Sequence, residues 1–120
     1  MLKSFLKVIS MLFNINTAVK ELHESGQGAS GVKRATLHRN EGAIYVLLAF
    51  EPDSHMQEHQ AKAWASVQCV EGEIRFTLED EEYQLRVGDI VIMQPGQRHS
   101  LSSKISSAVL VTLGPAKEGA

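Results

Sequence analysis

An all-β fold with one or two short N-terminal helices is what the sequence predicts, on three observations. Ile74, Phe76 and Leu78 alternate with Arg75, Thr77 and Glu79, and Tyr83, Leu85 and Val87 alternate with Gln84 and Arg86. That is the period of strands buried on one face. Gly88-Asp89 and Gln94-Pro95-Gly96-Gln97 bracket the β-branched-rich run Ile90–Met93, as turns bracket a short strand. Beyond Gly31 no helical period and no strand–helix–strand unit occurs. Sandwich, jelly roll and small barrel are the architectures that satisfy this pattern.

From the N-terminus, Leu2, Phe5, Leu6, Ile9 and Phe13 have helical spacing within Met1–Phe13. Lys3, Ser4, Lys7 and Ser10 interrupt the apolar run, which is far shorter than the roughly 20 residues of a membrane span. It lacks the clean core and small-residue cleavage site of a signal peptide. An amphipathic helix packing on the domain or on a second subunit is expected. Asn16-Thr17 is expected to cap a second helix through about Glu24, with Ala18, Val19 and Leu22 as its apolar side. Ser25–Gly31, with three glycines, reads as a loop. Val32–His38 is a strand ended by Asn40-Glu41-Gly42. Ala43–Phe50 is apolar without alternation, a strand buried on both faces. It asks for a facing sheet on one side and a cover on the other, either the N-terminal helix or a second subunit. A turn at Pro52 leads to His55–His59, then a strand over Ala61–Val70 and a turn at Glu71-Gly72. Glu79–Glu82 must turn, although a two-residue hairpin would favour glycine where Glu81 stands. The last strand, Ser107–Leu113, is expected to end at Gly114-Pro115.

One hundred and twenty residues make one domain with one core. Residues 1–30 are expected as a helical segment packing on the barrel or a dimer partner, 31–114 as the barrel and 115–120 as a tail. The net charge is −2 and the 12 Lys and Arg form no basic run, which disfavours nucleic-acid binding. Cys69, the single cysteine, reads as a small buried apolar residue, consistent with a cytoplasmic location.

Gly88–His99 carries the most specific pattern. Pro95 presets φ at the first central position of a type II turn and Gly96 accepts φ > 0 at the second. His99 then leaves a rigid corner. The stretch resembles the second motif of the cupin family, G-x5-P-x-G-x2-H: Gly88, Gly96 and His99 match, the family's proline falls on Gln94, and a proline stands one place later at Pro95. The resemblance covers roughly Ala43 to Leu113. It implies a double-stranded β-helix, a jelly-roll barrel of two sheets. The family's first motif, G-x5-H-x-H-x3,4-E-x6-G, is degenerate here. Anchored on Gly72, its glutamate falls on Ala65. With the shorter spacing its histidines fall on His59 and Ala61 and its first glycine on Asp53; with the longer spacing they fall on Glu58 and Gln60. The shorter spacing is preferred because His59 keeps an imidazole.

What the resemblance implies for a site is therefore reduced. In the family three imidazoles and a carboxylate suit one divalent transition metal ion (Mn, Fe, Co, Ni or Zn). Here His59 and His99 are the candidate ligands, and two positions are alanine. Two imidazoles alone make a weak site, so the alternative that no metal binds stays open. His55, four residues before His59 and on the same face of an extended segment, is a further candidate. Gln57, Glu58, Gln60 and His38 read as solvated rim residues, and His23 as unrelated surface. Ala61, Ala65, Val67 and Cys69 are expected to line one strand face, making a roomy apolar cavity with the two imidazoles at one end. Trp64, of opposite parity, should face away.

No G-x-S-x-G, phosphate-binding glycine loop or zinc-knuckle cysteine set occurs. The reading is a small cupin, expected as a homodimer, that binds a small molecule with or without a metal; neither nucleic acid nor membrane is expected as a partner. The alternative is a metal-dependent enzyme, dioxygenase- or isomerase-like. A regulatory sensor domain is a third class, but the chain has no room for a DNA-binding partner domain.

Overall fold

The structure, a computed structural model, describes residues 12–25 and 31–116. The helix expected over Met1–Phe13 lies outside them but for its last two residues.

The first described element is α1 (Ile15–Glu24). It begins two residues before the expected cap. Asn14 is the cap, its side-chain oxygen accepting from the Thr17 N–H at 2.9 Å. The earlier start brings Ile15 into one stripe with Val19 and Leu22, at i, i+4 and i+7. Nine strands follow: β1 (Val32–Arg39), β2 (Ile44–Phe50), β3 (Ser54–Gln60), β4 (Ala63–Glu71), β5 (Glu73–Leu78), β6 (Glu81–Arg86), β7 (Ile90–Met93), β8 (Arg98–Ser103) and β9 (Ser107–Ala116). They form two sheets, in the orders β1-β2-β9-β4-β7 and β3-β8-β5-β6, with every pair antiparallel. This is the expected jelly roll.

β2 shows why its sequence lacks alternation. Val46, Leu48 and Phe50 point between the sheets, while Leu47 and Ala49 point out and are covered by Val19 and Leu22 of α1. The helix is thus the cover, and each of its two buried side chains is worth roughly 1.5–3 kcal/mol. Two side-chain ties hold it in place. His23 Nε2 lies 2.7 Å from Glu71 Oε1, and Lys33 Nζ donates to the His23 carbonyl while pairing with Glu51 at 3.1 Å. The expectation that His23 is unrelated surface is corrected: it joins helix to sheet.

Turn chemistry sets the strand ends. Gly72 sits at φ +70°, and a Cβ there would lie 2.3 Å from Ser107 Oγ, so glycine is required twice over. The β5–β6 connection is a two-residue turn, Glu79-Asp80, since Leu78 pairs with Glu81. Glu79, at φ +54°, takes the left-handed position that glycine would usually hold. β9 runs past its expected end through Pro115. Its pairing with β2 stops at Leu113, and only Ala63 of β4 pairs beyond, with Ala116, so proline interrupts no ladder on the β2 side.

Candidate ligand cavity

The turn read from sequence places His99. Gly96 has φ +88°, and the Gln97 N–H reaches the Gln94 carbonyl at 3.3 Å, closing the type II turn. β8 starts at Arg98, whose N–H donates to Glu79 Oε2 at 2.7 Å and whose guanidinium reaches Glu79 Oε1 at 3.1 Å. These hydrogen bonds from Arg98, backbone first, hold the Glu79 carboxyl below its ordinary value. His99 follows with its ring turned inward and almost wholly buried, stacked on Phe76 with 6.0 Å between centroids and 7° between planes.

His59 arrives from β3, where it pairs with His99 across the ladder. Met56 pairs with Leu101, so three steps on β3 match two on β8: β3 carries a bulge between Met56 and His59. A regular strand would send residues three apart to opposite faces. The bulge turns both Met56 and His59 inward. The rings of His59 and His99 lie 4.0 Å apart between centroids, inclined at 60°.

The bulge also corrects the expectation for His55. It pairs with Ser102, is exposed and does not line the cavity. His38 lies against Tyr45 on the outer side of the first sheet, 6.4 Å between centroids. Gln57, Glu58 and Gln60 are exposed, as expected, and Trp64 faces out at 48% exposure.

Between the sheets is a cavity of about 430 Å³. Ile44, Val46 and Leu48 of β2, Ala65 and Val67 of β4, and Val111 and Leu113 of β9 form one wall. Met56, Leu101 and the two histidines form the other, and Met93 of β7 joins the first sheet's wall. Ala61 and Ala65, the two lost ligand positions, are lining residues. Cys69 does not line it: its side chain lies fully buried below, donating towards the Glu71 and Gly72 carbonyls, and burial pushes its thiol up from its ordinary value. Two charged lining residues escaped the sequence reading. Arg34 shares its strand face with Val32, and Lys62 sits between β3 and β4; both are exposed and, with His59, mark the mouth. The even spacing of Val32, Arg34 and Thr36 was the available signal for Arg34.

The hydrogen bonds fix the tautomers. His59 Nδ1 lies 3.1 Å from the Gln57 carbonyl and His99 Nδ1 3.2 Å from the Gln97 carbonyl. A carbonyl can only accept, so each Nδ1 carries a proton, and in the neutral ring Nε2 holds the lone pair. Burial pushes the His99 imidazole below its ordinary value; the Gln97 carbonyl opposes this, and His59 adds to it. A ligand hydroxyl or N–H, with one proton, can donate to one of these Nε2 atoms. The two imidazoles do not make the usual three- or four-ligand transition-metal site. No group of three His, Cys, Asp or Glu among the described residues is placed to hold an ion.

Residues 41–109 match the family model described as AraC-like ligand binding domain. Among solved structures, an RmlC-like cupin from Shewanella frigidimarina superposes with a TM-score of 0.70 at 23% identity, over 75% of this chain and 81% of that one. A conserved protein of unknown function from Streptococcus pyogenes gives 0.73 at 14% identity over 93% of both chains. An RmlC-like cupin with a double-stranded β-helix fold from Methanocaldococcus jannaschii gives 0.66 at 19%, over 78% and 88%. At these identities the likeness is one of fold. No curated protein matches the sequence.

Proposed function

The chain belongs to the AraC-like ligand binding domain family, and on that premise we propose that its cavity binds a small, largely apolar molecule bearing a hydroxyl or N–H group. The buried His99 accepts from that group through its Nε2 lone pair, with the His59 ring beside it. The observation that carries the reading is the pairing of these two imidazoles, directly opposite on β3 and β8, at one side of a cavity whose walls are apolar apart from Arg34 and Lys62 at the mouth. The volume, about 430 Å³, falls in the range of small-molecule sites. A buried hydrogen bond to a neutral acceptor contributes roughly 0.5–1.5 kcal/mol. His99→Ala should therefore weaken binding of a phenol about three- to tenfold, and His59→Ala less, since one O–H donates to one acceptor. Methyl-resolved NMR on Met56 and Met93, titrated with phenol and para-cresol, checks this. Shifts confined to surface methyls would sink it.

The same donor set disfavours the metal-dependent enzyme. Elemental analysis of protein purified without an affinity tag should find substoichiometric transition metal. A stoichiometric ion that is lost in His59→Ala and in His99→Ala, yet kept in His23→Ala, would replace this reading with the metal-binding one.

The homodimer stays a proposal, on a changed face. α1 covers the outer side of β2, whereas Trp64, Ile90 and Ile92 stand exposed together on β4 and the edge strand β7. Sedimentation of Ile92→Lys against the wild type tests this: a dimer that survives the substitution places the contact elsewhere.

A further inference from the structure

The cavity's charged lining is one-sided. Among the described residues, Arg34 and Lys62 are its charged lining members, and none of the acidic ones lines it. That is a local departure, because the chain as a whole carries 14 Asp and Glu against 12 Lys and Arg. Every ion pair among the described residues uses another cation: Lys20, His23, Lys33, Arg86 and Arg98 pair with carboxylates, and Arg34 and Lys62 do not. Arg34 is there by strand parity. Lys33, its neighbour, points the other way to Glu51 and α1, while Arg34 shares the inner face with its cross-strand partner Leu48, which also lines the cavity. An exposed cation on the inward face of β1 and another at the β3–β4 corner flank the entrance to an apolar interior. Cations outside the described ion pairs, beside a low-dielectric cavity, focus a positive potential on its mouth and draw anions towards it.

We propose that the ligand is an organic anion: an apolar body that fills the cavity, a hydroxyl that donates to the buried His99, and a carboxylate that Arg34 and Lys62 hold at the mouth. This rests on the ligand-binding reading above and adds the charge. Arg34 supplies the planar fork that matches a carboxylate, and Lys62 a mobile point charge. The Nε2 lone pair of the buried His99 would accept from the hydroxyl and repel the carboxylate, so the two ends of the ligand are told apart.

Four compounds test it: para-hydroxyphenylpropanoate, its primary amide, phenylpropanoate, and the primary amide of phenylpropanoate. Calorimetry gives affinities, and the Met56 and Met93 methyl signals report whether the compound is inside. The hydroxyl-bearing carboxylate should bind about fivefold or more tightly than its amide. Raising the ionic strength should shrink that ratio. The double variant Arg34→Gln/Lys62→Gln should bring it to about one by weakening the carboxylate far more than the amide; both sites are exposed and outside the described ion pairs, so the fold should survive. Equal affinity of carboxylate and amide in the wild type, with both moving the Met56 and Met93 methyls, overturns the anion assignment and leaves the cavity reading standing. If none of the four moves those methyls, the cavity reading falls, and the anion with it.

Discussion

The two ends of the sandwich are built from the same strands and differ in what stands at the inward positions. Along β2 the lining residues are Ile44, Val46 and Leu48, and the next inward residue, Phe50, is fully buried beyond the cavity. β4 gives Ala65 and Val67, then Cys69; β9 gives Leu113 and Val111, then Val109. Leu48 and Cys69 both pair with Val109, so the closed end is knit across three adjacent strands. At the open end alanines stand where the facing sheet offers two imidazoles and a methionine. The backbone is continuous; side-chain volume alone separates solid core from binding space.

Substitutions at the two ends should therefore behave differently. The largest effect is expected from Phe50→Ala, which empties the closed end and should cost about 3–5 kcal/mol in urea unfolding. Met93→Ala, beside existing space, should cost less than the roughly 2 kcal/mol lower bound for such truncations in a filled core. Equal losses would mean the cavity is closed in solution. Enlargement sharpens the contrast. Cys69→Leu should destabilise by about 1–3 kcal/mol through overpacking, whereas Ala65→Leu should change stability by under about 1.5 kcal/mol while blocking ligand. Undiminished ligand affinity in Ala65→Leu would place binding elsewhere.

The smallest effect concerns pH. Burial lowers the His99 value from its ordinary 6.5, so the folded protein binds fewer protons there than the unfolded chain. Its contribution is complete above pH 6.5 and is lost as pH falls through the folded value. At the closed end the shifted group is the Cys69 thiol, which burial raises, so it bears on the alkaline side instead. His99→Leu should flatten the stability profile on the acid side of 6.5; an unchanged slope would show that His99 is not held neutral.

Local chemistry was the legible part. Pro95-Gly96 fixes a turn within four residues, and the alternating strands β5 and β6 need only their own period. The parity that sent Trp64 outward and Ala65 inward is equally local. The bulge in β3 was not legible: His55–Gln60 is polar on both sides of Met56, so its register comes from β8, some forty residues later. That is why His55 looked equivalent to His59 and is not. Asp53, aligned with a family glycine, does sit at φ +59°, a conformation aspartate tolerates better than most residues. The helix start was misplaced because Asn14, Asn16 and Thr17 all have capping side chains, and only burial of Ile15 decides among them.

Glu79 has a consequence for how quickly the site can rearrange. Glycine would relieve its left-handed backbone, yet only a carboxylate can take both the Arg98 N–H and its guanidinium. Its own N–H returns to the Arg98 carbonyl at 2.8 Å. The amide just before His99 is thus shielded by a side chain from another hairpin as well as by its sheet. Opening there requires the β5–β6 turn to let go, so amide hydrogen exchange at Arg98 should be slow beyond what a strand end allows. His99 would then keep its aim while the His59 side of the cavity, held by an exposed and bulged strand, yields to admit a ligand.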